Sequence, residues 1–221
     1  MGTRLSEISQ YVQKCMFPVN GIPLLGHHID RATSLGVEEN NIHVVVGYRA
    51  DDARNFLRRY HPKVNQLPTM NVKGGTGTGL LSTEDAVGRN WSWGYVFYGD
   101  NYFTDPLTSW REKEEPIVAV RSVADLSRYG AVLSKDGYLQ DIVEKKITGS
   151  GHALVGAMKE PPEIFDHIKR VKPNDGEIFL TDAIMSLNEE RAHRVHEIDG
   201  SWYDVGSKDT LKLAINGDNH G

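Results

Sequence analysis

The sequence predicts an α/β protein in which helices cover a mixed, mainly parallel central sheet. Short apolar runs rich in β-branched residues alternate with amphipathic stretches through the first half of the chain, which is typical of strands joined by crossover helices. Hydrophobic residues make up 39% of the chain, enough to fill a core. A length of 221 residues suits one large domain over residues 1–221 better than two small ones.

The elements of the first half follow from hydrophobic periodicity. Residues 23–37 carry apolar side chains at helical spacing, and Gly36 is a typical helix stop. Residues 42–46 form a short β-branched run that predicts a buried strand, and an amphipathic helix follows the turn at Gly47. The remaining predicted elements are a short helix over residues 80–88, a strand over 94–100, a helix near 105–114 and a strand over 116–123.

The second half contains a hairpin signal. Residues 129–145 are two strand-like runs joined by the turn Lys135-Asp136-Gly137. Residues 193–206 are also strand-like. Three further helices are predicted: residues 161–171 with prolines in the first turn, residues 180–190, and residues 207–216 with Ser207 as N-cap.

Composition and charge disfavour several classes of protein. The chain has 25 basic and 30 acidic side chains, so it lacks the dense basic face that a nucleic-acid partner requires. A single cysteine, Cys15, excludes an internal disulfide and favours a reducing compartment. We see no signal peptide and no apolar run near the roughly 20 residues of a membrane span. The expectation is a cytoplasmic protein without a membrane partner.

Two carboxylates follow strand-like runs. Asp100 comes after residues 94–99, and Asp204 stands between an aromatic pair and a predicted helix start. Ligands of open α/β sheets collect at the carboxyl ends of strands, and Mg²⁺ prefers one or two carboxylates completed by water and phosphate. Taken separately, Asp100 also fits a turn and Asp204 a helix N-cap. Taken together, they predict a magnesium site.

Phosphate-binding groups are predicted at two places. Arg4, beside Gly2 and Thr3, offers a planar fork of donors, and Lys14 offers a point charge. Either residue alone is more often a solvated surface residue. The segment from Gly74 to Gly79 leads into a helix, where free N–H groups can hold a base or phosphate. It lacks both the Lys-Ser/Thr pair of a P-loop and the G-x-G-x-x-G spacing, so a flexible loop is the alternative.

The hairpin carries a third candidate group. Tyr129 and Gly130 begin one strand, and Glu144 and Lys145 end the next. A carboxylate that accepts hydroxyl protons beside an ammonium group suits a polyol phosphate, and a solvated strand end is the alternative reading. The histidines show no metal-ligand spacing, and the sequence contains no Ser or Cys nucleophile motif.

The order of these motifs resembles the sugar nucleotidyltransferases, the sugar-1-phosphate pyrophosphorylases of the glucose-1-phosphate thymidylyltransferase type. The resemblance runs from residue 2 to about residue 214, and its specificity lies in the co-linear order of the motifs. They are Gly2–Leu5, Lys14, Pro18–Val19, Gly21–Leu25, Gly47–Tyr48, Gly74–Gly79, Tyr98–Asn101, Ser127–Gly130, Glu144–Lys145 and Trp202–Gly206.

The resemblance implies a three-layer, Rossmann-like nucleotide-diphospho-sugar transferase fold and a Mg²⁺-dependent reaction in which an NTP and a sugar 1-phosphate give an NDP-sugar and pyrophosphate. It implies a possible homo-oligomer. By resemblance the catalytic residues are Arg4, Lys14 and Asp100, and the metal ligands are Asp100 and Asp204. The implied nucleotide-binding residues are Gly2, Thr3, Arg4, Lys14, Gly75, Thr76, Gly79 and Asp100. The implied sugar-phosphate-binding residues are Tyr129, Gly130, Glu144 and Lys145.

The sequence departs from the family pattern at three places. The family's nucleotide loop follows an apolar strand and a first glycine. Here both are absent, and Met1 stands where the family has a variable residue between two glycines. We therefore expect that the first strand is missing, through a start codon placed too far downstream, a fragment or a true truncation. Cys15 and Lys146 replace prolines, which removes backbone rigidity but no functional group.

The sequence leaves base and sugar open, with the motif set most similar to enzymes of pyrimidine nucleotides. One alternative is a cytidylyltransferase acting on a phospho-alcohol such as phosphocholine. Another is a non-catalytic homologue that binds nucleotide sugars. Retention of Asp100, Asp204, Arg4 and Lys14 argues against the second, because a binding module has little use for a metal pair.

Overall fold

The computed structural model describes the backbone of residues 12–206 and 208–216. The predictions for Gly2, Thr3, Arg4 and Ser207 therefore lie outside the described residues. Contacts divide the chain into two compact units. The first unit combines the residues up to Leu67 with Phe97–Arg111 and the residues from Asp199 onward, and the second combines Pro68–Val96 with Glu112–Ile198.

The described helices and strands are numbered in chain order. The helices are α1 (Leu24–Ser34), α2 (Ala50–Tyr60), α3 (Gly75–Leu81), α4 (Glu84–Val87), α5 (Ile164–Arg170), α6 (Leu180–Asn188) and α7 (Lys208–Asn216). The strands are β1 (Pro18–Val19), β2 (Ile22–Pro23), β3 (His43–Val46), β4 (Asn65–Pro68), β5 (Gly94–Phe97), β6 (Asn101–Phe103), β7 (Ile117–Val123), β8 (Gly130–Lys135), β9 (Tyr138–Glu144), β10 (Gly151–Glu160), β11 (Arg194–Glu197) and β12 (Trp202–Asp204). None of the helices in this described part is long and apolar enough to cross a membrane.

The first unit packs around helix α1. Its Leu24 contributes to one buried cluster with Phe17 and Val205, while its Leu25 and Ile29 belong to a second cluster beneath helix α2. This one-sided burial is what the helical spacing of the apolar residues predicts. The helix stops as predicted, because Gly36 adopts φ +88° and donates its N–H to Thr33 O at 2.9 Å.

Three small sheets complete the first unit, pairing β1 with β2, β3 with β4, and β6 with β12. The β6–β12 pair is antiparallel, with Asn101 opposite Asp204 and Phe103 opposite Trp202. Residues 193–206, predicted as one strand-like run, form β11 and β12, which belong to different sheets. A turn with Gly200 at φ +80° separates them.

The second unit is built on a six-stranded sheet in the order β5-β10-β7-β11-β9-β8. Strand β11 runs parallel to β7, whereas β10 is antiparallel to both β7 and β8, and β9 is antiparallel to both β8 and β11. The predicted mixed sheet is confirmed, but these strands do not meet the expectation of a mainly parallel one. The physical reason is that the β8–β9 hairpin and the returning strand β10 connect neighbours without crossover helices.

Two predicted helices differ from the observed structure. Residues 105–114 contain a single 3₁₀ turn, Thr108–Glu112, anchored by the buried Trp110. The predicted helix over residues 80–88 is instead two helices, α3 and α4, and α3 begins inside the glycine-rich segment. Glycine is a poor helix former, so the sequence pattern favours a loop there.

Candidate functional site

Asp100 lies in the turn that leads into strand β6. The N–H of Asn101 donates to Tyr98 O at 3.2 Å, which closes the turn. On the neighbouring strand β12, Asp204 is paired with Asn101, and the next residue, Val205, donates its N–H to Asp100 O at 2.8 Å. The β6–β12 ladder therefore brings the two predicted carboxylate residues to adjoining ends of one strand pair.

Lys14 lies beside the first of these carboxylates. It sits in the 3₁₀ turn Lys14–Met16, and its Nζ is 3.5 Å from Asp100 Oδ2. The two side chains are 26% and 38% exposed, so the pair faces solvent and adds little to stability. Its importance is geometric: the predicted phosphate-binding cation and the predicted metal-binding carboxylate share one location.

Two further residues support Asp100 and were missed as site residues by the sequence reasoning. The side-chain amide of Asn101 donates from Nδ2 to Asp100 Oδ1 at 3.2 Å. Asn101 Oδ1 in turn accepts from Trp202 Nε1 at 2.7 Å. Both residues lie inside recognised motifs, but their roles depend on strand pairing across about a hundred residues, which the motifs do not reveal.

The donor set of this location fits a hard divalent cation. In the part of the chain that the structure describes, no group of three or more His, Cys, Asp or Glu residues could hold a metal ion. Asp100 and Asp204 can supply at most two carboxylates. Mg²⁺ accepts such a partial set, because it retains water and takes substrate phosphate oxygens as its remaining ligands.

The glycine-rich segment is packed against residues 178–180 within the second unit. Gly77 donates its N–H to Ile178 O at 2.8 Å, and Ile178 donates its own to Gly74 O at 2.8 Å. Thr76 Oγ1 accepts from Leu180 N at 3.0 Å, at the first residue of helix α6. These bonds explain why α3 forms despite its glycines.

The same contacts give three predicted nucleotide-binding residues distinct surroundings. Gly75 has φ +81°, and a Cβ there would lie 2.6 Å from Ile178 O, so packing alone requires glycine. The Thr76 hydroxyl is engaged by helix α6. A Cβ on Gly79 would meet open space among the described residues. Nucleotide contact by these residues stays a prediction, and Ile178 is a supporting residue that the sequence reasoning missed.

The four predicted sugar-phosphate residues meet at the open end of the β8–β9 hairpin. Gly130 is the register partner of Glu144, and Lys145 donates its N–H to Tyr129 O at 3.2 Å. A Cβ on Gly130 would lie 3.2 Å from Glu144 Oε1, so glycine leaves room for that carboxylate. Lys145 adopts φ +48°, which turns the chain out of the strand directly after Glu144.

The predicted site residues thus form two described groups. Lys14, Asp100 and Asp204 belong to the first unit, and the glycine-rich segment and the hairpin group belong to the second. Residues 1–220 match the sequence model of the family described as nucleotidyl transferase. The chain belongs to the nucleotidyl transferase family.

The chain is similar to bifunctional proteins and to a uridylyltransferase. The chain is 30% identical over 208 residues to the bifunctional protein GlmU of Methanocaldococcus jannaschii, covering 93% of this chain and 49% of the relative. It is 28% identical over 220 residues to the UTP–glucose-1-phosphate uridylyltransferase AglF of Haloferax volcanii, covering 93% and 87% respectively. The chain therefore spans about half the length of the GlmU relatives that it matches.

Solved structures of nucleotidyl transferases confirm the fold. A Bacillus anthracis protein described as a glucose-1-phosphate thymidylyltransferase, solved with sucrose, has a TM-score of 0.85 at 26% identity, covering 100% of this chain and 92% of its own. A UDP-glucose pyrophosphorylase complexed with UDP-glucose has a TM-score of 0.79 at 25% identity, covering 98% and 94%. The α/β, Rossmann-like fold that the motifs imply is thereby confirmed.

Proposed function

We propose that this chain condenses an NTP with a sugar 1-phosphate to give an NDP-sugar and pyrophosphate. The observation that carries the proposal is the meeting of Lys14 and Asp100 at 3.5 Å, beside Asp204 on the paired strand, in a chain of the nucleotidyl transferase family. A cation next to one carboxylate, with a second carboxylate on the paired strand, suits a metal–triphosphate substrate. The uridylyltransferase relative supports the same chemistry.

In this reaction a phosphate oxygen of the sugar 1-phosphate attacks the α-phosphorus of the NTP. The new P–O bond forms as the bond to the β-phosphate breaks, and pyrophosphate leaves with that electron pair. The nucleophile is already ionised at neutral pH, so no general base is needed. The obstacle is the approach of two anions, and catalysis consists of positioning and charge neutralisation.

The first unit supplies charge neutralisation. Asp100 and Asp204 would hold Mg²⁺, which would neutralise phosphate oxygens as charge moves to the leaving group. Lys14 meets the triphosphate with its ammonium group, and Asn101 keeps the Asp100 carboxylate oriented. Gly2, Thr3 and Arg4 are proposed to complete the triphosphate contacts.

The second unit is proposed to orient the reactants. Gly75, Thr76 and Gly79 lie in the segment proposed to contact the nucleotide. In the hairpin group Glu144 accepts hydrogen bonds from sugar hydroxyl groups, and Lys145 binds the sugar phosphate. Tyr129 and Gly130 form the neighbouring strand end. This partition assigns metal and triphosphate to the first unit and sugar recognition to the second.

The proposal is tested with a substrate panel. Purified protein is incubated with Mg²⁺, each of UTP, dTTP, CTP, ATP and GTP, and each of several sugar 1-phosphates or phosphocholine, and pyrophosphate release is followed. We expect release with at least one NTP and a sugar 1-phosphate. Asp100→Ala should lower that rate at least about 100-fold, and it serves as the control for contaminating enzymes.

The other outcomes of the panel decide between the alternatives. Pyrophosphate release with CTP and phosphocholine alone would show that the second substrate is a phospho-alcohol and not a sugar 1-phosphate. Nucleotide or UDP-glucose binding without release from any pair would contradict catalysis and support a non-catalytic binding protein. Removing Mg²⁺ with EDTA should abolish pyrophosphate release, because Asp100 and Asp204 then have no cation to hold against the phosphates.

A further inference from the structure

Asp52 connects helix α2 to the segment that carries Lys14. It lies in the first turn of α2, and its Oδ2 accepts the backbone N–H of Gln13 at 3.1 Å. The same oxygen accepts from Arg49 Nε at 2.9 Å. A carboxylate 39 residues away in sequence therefore accepts the N–H of the Val12–Gln13 peptide, at the residue directly before Lys14.

The turn held by this contact has few bonds of its own. Lys14–Met16 is a three-residue 3₁₀ turn, closed by Met16 N to Gln13 O at 2.9 Å and Phe17 N to Lys14 O at 3.0 Å. So short a turn does not fix its own orientation, because 3₁₀ geometry gives poor hydrogen bonds. Gln13 is the N-cap of this turn, and its N–H donates to Asp52.

Arg49 keeps the Asp52 carboxylate in place and ionised. It adopts the left-handed conformation at φ +53°, and its guanidinium approaches both carboxylate oxygens, at 2.9 Å and 3.5 Å. The hydrogen bond from Arg49 lowers the pKa of Asp52, and the bond from the Gln13 N–H lowers it further. Asp52 is thus a charged acceptor at neutral pH.

We propose that Asp52 is a positioning residue that holds the Val12–Gln13 peptide, so that the Lys14 ammonium stays beside Asp100. The inference rests on the proposed function, in which Lys14 meets the triphosphate. Asp52 acts through Lys14, since its carboxylate is already engaged by Gln13 and Arg49. Its removal should weaken nucleotide binding without removing any group that contacts the nucleotide.

Asp51 offers a matched control in the same helical turn. It carries the same charge at the same helix N-terminus, but its side chain is 87% exposed and pairs with Arg54 at 3.6 Å. Asp51→Ala therefore reproduces the change in net charge and the lost interaction with the helix dipole. Any larger effect of Asp52→Ala reports the bonds of its carboxylate to Gln13 and Arg49.

The experiment compares wild type, Asp52→Ala, Asp51→Ala, Asp52→Asn, Lys14→Ala and the double variant Lys14→Ala/Asp52→Ala. UTP binding with Mg²⁺ is measured by calorimetry, and KM and kcat are measured with the pair accepted in the panel. We expect Asp52→Ala to raise the UTP Kd and the KM for NTP by about tenfold, the loss of one positioned contact. Asp51→Ala should stay within about twofold, and Asp52→Asn should lie between, because its amide oxygen still accepts from Gln13.

The double variant separates positioning from general destabilisation. In the Lys14→Ala background, Asp52→Ala should change the UTP Kd by less than about twofold, because the group that it positions is gone. Equal effects of Asp52→Ala in both backgrounds would overturn the proposal, as would equal effects of Asp52→Ala and Asp51→Ala. If the chain binds UTP but turns over no pair of substrates, the proposed function is contradicted. The comparison of Asp52→Ala in the two backgrounds can still be made by UTP binding.

Cys15 gives a readout that needs no ligand. It is the single cysteine of the sequence, it lies inside the Lys14–Met16 turn, and burial raises its pKa to about 12. Release of the turn should expose the thiol, so Asp52→Ala should react with a thiol reagent about tenfold faster than Asp51→Ala. Identical labelling rates would show that Asp52 does not hold the turn, whatever the chain binds.

Discussion

His28 is a titratable side chain in an apolar setting. It lies on helix α1, is 6% exposed, and stacks on Phe97 with ring centroids 5.5 Å apart. Burial, helped by the positive charge of Arg31, lowers its pKa from the usual 6.5 to about 3. The neutral ring is therefore the form that the folded protein accommodates.

This burial predicts a loss of stability in mild acid. The unfolded chain binds a proton at His28 as pH falls through 6.5, while the folded chain does not until about 3. Stability should therefore fall by up to about 1.4 kcal/mol per pH unit across that window through this group. Urea unfolding at pH 7.5 and pH 5 should show the loss in wild type and a smaller one in His28→Leu; equal losses would contradict the assignment.

At the residue scale, the sequence predicts where candidate site residues lie better than it predicts the residues that support them. Asp100 and Asp204 follow strand-like runs, so their position at strand ends is predictable, and the ladder confirms their proximity. Asp52 and Ile178 carry no local signal, because their contacts lie 39 and about a hundred residues away along the chain. Only tertiary structure identifies such residues.

At the scale of elements, helix α3 shows how packing overrides propensity. Its glycines disfavour a helix, and each costs about 1 kcal/mol relative to alanine. The element forms because Gly75 and Gly77 let its backbone approach Ile178 closely enough for hydrogen bonds. A larger residue at either position would separate the two backbones.

Two glycines of α3 therefore predict opposite responses to alanine. A Cβ on Gly77 would lie 2.7 Å from Ile178 Cγ2 and 2.9 Å from Ile178 O, whereas one on Gly79 meets open space among the described residues. Gly77→Ala should destabilise by about 1–3 kcal/mol through overpacking. Gly79→Ala should stabilise by about 0.4–1 kcal/mol, because alanine restricts the unfolded chain. Urea midpoints of both variants check this, and destabilisation of equal size would refute it.

Strand β10 explains much of what the sequence could not predict about the sheet. From Val155 to Glu160 every residue of β10 is buried, so the alternating pattern that identifies a strand is absent. A register shift between Leu154 and Met158 disturbs its pairing with β7. Helices with one-sided burial, such as α1 and α2, were predictable for the opposite reason, since their periodicity is clear.

At the scale of the whole molecule, the proposed chemistry is divided between the two units. Metal and triphosphate are assigned to Lys14, Asp100 and Asp204, and sugar recognition to the hairpin group with Glu144. Because catalysis by charge neutralisation acts on the transition state, loss of a metal ligand should lower kcat. Loss of a hydroxyl acceptor removes binding that ground and transition states share, and it should raise KM.

This division predicts different kinetic signatures for two single substitutions. Asp100→Ala should lower kcat by at least about 100-fold at saturating Mg²⁺, because the charge of the departing pyrophosphate is no longer neutralised. Glu144→Gln should raise the KM for the sugar 1-phosphate while kcat changes by less than about threefold. Asp136→Asn, at the turn of the same hairpin with φ +53°, is the matched control, since asparagine also tolerates the left-handed conformation. Steady-state kinetics with both substrates varied would refute the division if Asp100→Ala kept a near-normal rate, or if Glu144→Gln lost turnover as severely as Asp100→Ala.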